Sequence, residues 1–204
     1  MRVRRRAKKR TKIAVFLLVM SIIVIISVVL KVAYVYLEMQ YRIMSYPLKF
    51  TELVEFNANE QNLDKYLIYA VINEESSFRA NAESNVGARG LMQIMEDTFD
   101  WIKFRKSDSE AKFSDMYEPD KNIEYGAYYI RYLLNYFYGD LQLALCAYHA
   151  GPSSVDSWLA NPEFSKDGIK LDKIPEAASD TAHYVDKVNK AYNTYIKTYA
   201  NKEE

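Results

Sequence analysis

The chain is poor in the residues that cross-link small domains. It has one cysteine, Cys146, so no disulfide can form within it. It has two histidines, His149 and His183. A structural zinc site needs four ligands. Cys146 and His149 lie three residues apart but His183 is far along the chain, so neither a metal nor another cofactor is expected. No stretch alternates polar and apolar residues over a strand's length, which argues against a sheet-built domain. There are no internal repeats. A domain without staples must hold together by its core. About 150 residues are enough, since a domain of that size buries close to 70% of its unfolded surface.

Acidic residues are missing from the first dozen positions, MRVRRRAKKRTK, which hold eight of the 27 basic residues. The formal net charge of the whole chain is zero. The remainder therefore carries 19 basic against 27 acidic residues, a net of −8. A nucleic-acid-binding domain would carry its positive charge on the folded part. No nucleic-acid partner is expected.

What the chain does have is one long apolar run. Residues 13–30, IAVFLLVMSIIVIISVVL, contain no charge. About 20 apolar residues span a bilayer as a helix. The run is longer than the apolar core of a signal peptide, and bulky residues follow it where a small-residue cleavage site would stand. It reads as an uncleaved anchor. The basic cluster before it places the N-terminus in the cytoplasm. The expected organisation is a basic cytoplasmic tail at 1–12, a transmembrane anchor at 13–35, a stalk at 36–60 and a folded domain at 61–200.

The folded part reads as mainly α. Leu63, Leu67, Ile68, Val71 and Ile72 recur at helical steps that run into Glu74–Phe78. Asp97 or Thr98 can cap a helix through Trp101 and Ile102. Residues 103–119 are charged and irregular, as in a surface loop. From Asp120 a long helix places Ile123, Ala127, Ile130, Leu134 and Phe137 on one face. Leu141–Ala150 is apolar on nearly all sides, as a buried central helix would be. Gly151-Pro152 ends it, Ser153–Leu159 forms a short helix, and a last helix covers about 180–199. A short β element near 83–93 is compatible with the sequence, though no pattern argues for it.

The chemistry concentrates in residues 74–95, EESSFRANAESNVGARGLMQIM. Glu75 has apolar helical neighbours in Val71, Ile72 and Phe78. Poor solvation favours the neutral carboxyl and raises its pKa. A carboxylic acid that is neutral near pH 6–7 can protonate a leaving oxygen. Glu74 has Ala70 and Ser77 at the corresponding steps and stands more open to water. On composition alone a surface glutamate remains the commoner case.

Glu75-Ser76-x-Phe78 followed by Gly87-Ala-x-Gly90-Leu91-Met92-Gln93-Ile94-Met95 resembles the catalytic domain of the soluble lytic transglycosylases, in the lysozyme-like superfamily. Asn122-Ile123 with Gly126, then Ala147-Tyr148-His149-Ala150-Gly151-Pro152, then Tyr184-Val185 with Lys187-Val188, match further family blocks in order. The resemblance covers roughly residues 60–197. It implies a lysozyme-like transglycosylase domain behind one transmembrane helix. Glu75 is then the sole catalytic acid and base. Ser84, Gln93 and Met95 lie along the saccharide groove, with Tyr148, His149 and Tyr184 beside the glutamate. Met92 is read as core. The buried Tyr148 hydroxyl needs a partner, and the Glu75 carboxyl is an available one. The implied partner is the peptidoglycan glycan strand, and the implied location is the outer face of a bacterial cell membrane. No protein partner can be named.

Three positions depart from the family pattern. His149 stands where Asn is usual, Glu96 where Pro is usual, and Asp180-Thr181 where Glu-Thr is usual, with Glu176 nearby. Most glycosidases use two carboxylates, and only one is supported in this chain. The family's reaction removes the need for a second. The acid protonates the oxygen between N-acetylmuramic acid and N-acetylglucosamine, and the sugar's own acetamido group stabilises the cationic centre. The same glutamate then deprotonates the 6-hydroxyl, which closes a 1,6-anhydro ring. A water-using muramidase and a glycan-binding protein without turnover are the alternatives.

Overall fold

The computed structural model describes residues 2–200, with side chains from Lys12 onward. The side chains of nearly all the basic tail lie outside the described residues. Two compact units divide the chain, residues 1–45 and 46–204.

The first unit is one helix, α1, Arg2–Ser45. Its most apolar 18-residue window has a mean hydropathy of 3.3, and the helix is long and apolar enough to cross a membrane. It runs past residue 35, so residues 36–45 of the expected stalk are helix. The rest of that stalk also differs from expectation. Residues 46–60 belong to the second unit, where α2 (Thr51–Glu60) buries Val54, Asn57 and Ala58. Spaced three and four apart, these three residues make too short a stripe to stand out in the sequence.

The second unit is helical, with no strand among the described residues. Helix α3 (Lys65–Ser76) starts at Asp64, whose side chain accepts from the Tyr66 N–H at 2.8 Å. Its stripe Leu67, Ile68, Val71 and Ile72 is buried. The helix stops because Ser77 and Phe78 take left-handed φ of 50° and 64°. Such angles cost a bulky residue about 1–3 kcal/mol. The Phe78 ring is buried beside Tyr69, which holds the turn in place.

Helix α4 spans Glu96–Lys106, starting just before the expected caps. Glu96, which replaces the family proline, is simply its first residue. The segment expected as a loop to Pro119 holds the end of α4 and a 3-10 turn at Phe113–Tyr117, which buries Met116. Helix α5 is Pro119–Tyr136, with proline at its first position, where no N–H is needed. Asp140 caps α6 (Leu141–Ala150). Helix α6 packs against α5, α7 (Pro152–Leu159) and α8 (Ser179–Tyr199). Its residues Leu143 to Ala147 are all buried. Each buried leucine there contributes about 1.5–3 kcal/mol relative to exposure, so α6 is the pillar the other helices stand on. Helix α8 also packs along α3, which brings the end of α3, the end of α6 and the start of α8 to one place.

Candidate active site

Glu75 sits in the last turn of α3, partly buried. Loss of water around its carboxyl raises the pKa from the ordinary 4.5 to about 7. The Tyr184 hydroxyl pulls it back down, and the charge of Glu74 adds a small rise. The chain-neighbour Glu74 is the only other carboxylate acting on it among these causes. Adjacent residues on one helix cannot flank a glycosidic bond from opposite sides, as paired glycosidase carboxylates do.

One side of the site is the loop from Ser77 to Met95, held to the body by buried polar side chains. The Ser76 hydroxyl bonds to the carbonyls of Leu91 at 2.8 Å and Ile72 at 3.2 Å. Asn122, fully buried on α5, makes three bonds. Its Oδ1 accepts from the Met92 N–H at 2.7 Å, and its Nδ2 donates to the carbonyls of Arg89 at 2.9 Å and Met116 at 2.8 Å. Gly90 passes so close that an added Cβ would lie 1.9 Å from the Met116 carbonyl and 2.2 Å from Asn122. Gly126 gives similar room to Met92, which is fully buried and packs as core. The segment near 83–93, where a short β element is compatible with the sequence, forms two isolated bridges, Glu83 to Arg89 and Arg89 to Ile94.

The candidate groove residues divide here. Ser84 accepts from the Ala88 N–H at 3.0 Å and shapes the loop tip. Gln93 takes a left-handed φ of 48°. Its Nε2 donates to the carbonyls of Gly90 at 2.9 Å and Ala82 at 3.2 Å, so the amide end braces the loop. Met95 is exposed.

The other side is built from α6 and α8. The Tyr148 hydroxyl donates to the Met92 carbonyl at 2.8 Å. The expected Glu75 partnership is thus corrected: the backbone carbonyl satisfies this hydroxyl, and Glu75 acts on it by charge alone. Burial, then that charge, raise the Tyr148 pKa well above the usual range. Tyr184, on α8, is buried and shifted upward for the same two reasons. Its hydroxyl acts on Glu75 but makes no hydrogen bond of full geometry. The His149 ring lies 4.7 Å from that of Tyr184, tilted by 31°. Its Nδ1 is 3.0 Å from Oγ1 of the buried Thr181. Asp180 and Glu176 are exposed.

Glu75, Gln93, Tyr148, His149 and Tyr184 are thus linked through direct contacts or through Met92 and the loop. Ser84 is joined to them only through the loop backbone. Two residues with structural weight, Asn122 and Thr181, are marked in the sequence only by the resemblance, the first within a matching block and the second beside a departure. A signal for Asn122 was available: with Gly126 and Ile130 it falls at four-residue steps on the buried face of α5. Among the described residues no group of three or more His, Cys, Asp or Glu is placed to hold a metal. A cavity of about 590 Å³ lies at the opposite end of α6, lined by Tyr136, Asp140, Asp156 and Ile169, and contains none of the candidate residues.

A family model for the transglycosylase SLT domain matches residues 52–170. The chain belongs to that family. The SLT domain model begins within α2, in keeping with the place of that helix in the second unit. Among curated relatives, the soluble lytic murein transglycosylase of Salmonella typhimurium is 30% identical over 161 residues. The match covers 78% of this chain and 24% of that protein. The membrane-bound lytic murein transglycosylase C of Serratia proteamaculans is 28% identical, over 72% of this chain and 46% of that protein. The chain therefore spans about a quarter to a half of the lengths of these relatives. Two solved structures carry the same domain. The 70 kDa soluble lytic transglycosylase of Escherichia coli matches with a TM-score of 0.65 and 26% identity, over 74% of this chain and 25% of that one. An inactive glutamate-to-glutamine mutant of the Pseudomonas aeruginosa Slt matches with a TM-score of 0.63 and 29% identity, over 74% of this chain and 24% of that one.

Proposed function

We propose that the chain is a membrane-anchored lytic transglycosylase. It cleaves the β-1,4 bond between N-acetylmuramic acid and N-acetylglucosamine in peptidoglycan and leaves 1,6-anhydromuramic ends. The observation that carries this reading is the Glu75 carboxyl, poorly solvated and raised to about 7. Near neutrality it exists in both forms. As an acid it protonates the glycosidic oxygen while the sugar's acetamido group stabilises the charge at the anomeric carbon. As a carboxylate it then takes the proton of the 6-hydroxyl, whose oxygen closes the anhydro ring. Proton transfer from a placed side chain contributes about 10²–10⁴-fold. Ser84, Gln93, Met95, Tyr148, His149 and Tyr184 shape the groove that receives the glycan, and positioning supplies the remainder. Helix α1 is the anchor, and the basic residues before the apolar run keep the N-terminus cytoplasmic. The domain then works on the outer side of a bacterial membrane. The names of the relatives support the activity, and one of them is itself described as membrane-bound.

The test is release of glycan from purified strands by the wild type and by Glu75→Gln. The wild type is expected to give fragments lighter by one water than hydrolytic ones in mass spectrometry, and the variant none. Soluble fragments from Glu75→Gln would overturn the assignment. Fragments of hydrolytic mass from the wild type would make the enzyme a muramidase. The same variant has a stability signature. The folded pKa of Glu75 lies above its unfolded value, so ionisation weakens the fold as pH rises from 4.5 through 7. Glu75→Gln removes that cost. It should be more stable than the wild type by about 1–3 kcal/mol at pH 8, with the gain fading as pH falls from 7 and gone below 4.5.

A further inference from the structure

The Tyr184 hydroxyl influences Glu75, yet no hydrogen bond of full geometry fixes it in place. Its position is therefore set by whatever holds its ring. The ring packed against it is that of His149, 4.7 Å away and tilted by 31°. That imidazole is itself anchored, because Nδ1 lies 3.0 Å from Thr181 Oγ1. Thr181 is buried in the first turn of α8, three residues before Tyr184. His149, Thr181 and Tyr184 thus form a triangle that joins the end of α6 to the start of α8. Asparagine, usual in the family at this position, has no ring to stack.

We propose that His149 is a positioning residue: anchored by Thr181, its ring holds the Tyr184 ring so that the hydroxyl faces the Glu75 carboxyl. This rests on Glu75 being the acid and base. The titratable groups around the triangle are Glu74 and Glu75 from α3, Tyr148 from α6 and Asp180 from α8. Tyr184 favours the charged form of Glu75. Freeing Tyr184 therefore raises the pKa of Glu75 further. Letting water into the site does the opposite, since solvation lowers a carboxyl pKa. The two effects differ in sign, so a measurement separates them.

The experiment uses the full chain with His149→Ala, His149→Phe and Tyr184→Phe. The pH dependence of kcat/KM is measured on purified glycan strands, alongside thermal stability. The acid step needs protonated Glu75, so kcat/KM falls as pH rises through its pKa. His149→Ala should move that midpoint upward by about 0.5–1 pH unit, as Tyr184→Phe should. His149→Phe keeps a ring against Tyr184 and should restore most of the wild-type midpoint. A midpoint in His149→Ala that stays put or moves down overturns the proposal, even if activity and stability fall together. Carbon-detected NMR titration of Glu75 in the same proteins reads the shift without turnover. Were Glu75→Gln found active, the functional reading would fall, while this titration would still decide the role of His149.

Discussion

The two sides of the site are held by different means. The loop from Ser77 to Met95 hangs on directed hydrogen bonds, with Ser76 and Asn122 supplying three between them, at Leu91, Met92 and Arg89. The α6 and α8 side places Tyr184 by ring packing, without a bond of full geometry to its hydroxyl. A buried hydrogen bond that loses one partner costs the full desolvation of the group left behind. A ring contact that is lost costs less and lets the side chain shift. The loop is thus a fixed shape, and the opposite side is where the titration of Glu75 can be tuned.

That contrast can be attacked from its strongest point downward. Gly90→Ala combines a φ of +79° with a Cβ 1.9 Å from a backbone oxygen. It should cost roughly 3 kcal/mol or more, read as a fall in the urea midpoint, with activity lost. Asn122→Ala leaves the Met92 N–H and two carbonyls without their partner. A loss of about 2–4 kcal/mol is expected in the same titration. Tyr184→Phe removes a buried hydroxyl that has no full hydrogen bond. Its stability should stay within about 1 kcal/mol of the wild type while the pH profile moves. If Tyr184→Phe destabilised the domain as much as Asn122→Ala, the two sides would not differ in kind.

The sequence showed the parts of this arrangement that repeat with a helical period. The all-round apolar character of α6 marked the central helix, and the apolar steps to Val71, Ile72 and Phe78 favoured Glu75 over Glu74. Contacts without a period stayed hidden. Asn122 reaches a backbone N–H thirty residues away, a distance along the chain that no local pattern encodes. The Tyr148 hydroxyl found a carbonyl rather than a carboxylate because Met92 is pressed against α5 through Gly126. Residues 46–60 looked like a stalk because their buried stripe is short: of their apolar side chains only Val54 and Ala58 are fully enclosed, while Phe56 is exposed.

The ties of α8 have a consequence for how the domain is made. Tyr199 donates to the Tyr46 carbonyl at 2.8 Å and Tyr195 to that of Pro47 at 3.2 Å. Tyr192 donates at 2.7 Å to Asp64, the cap of α3. The first residues of the domain are thus fastened by α8, which is synthesised after α1 to α7. Chains fold as they emerge, N-terminal part first. This one cannot close its domain, or bring Tyr184 to Glu75, until α8 has been delivered. The surroundings of Glu75 are therefore completed only after α1 to α7 have been made, and a chain that stops short of α8 has no Tyr184 and no tie on residues 46 and 47.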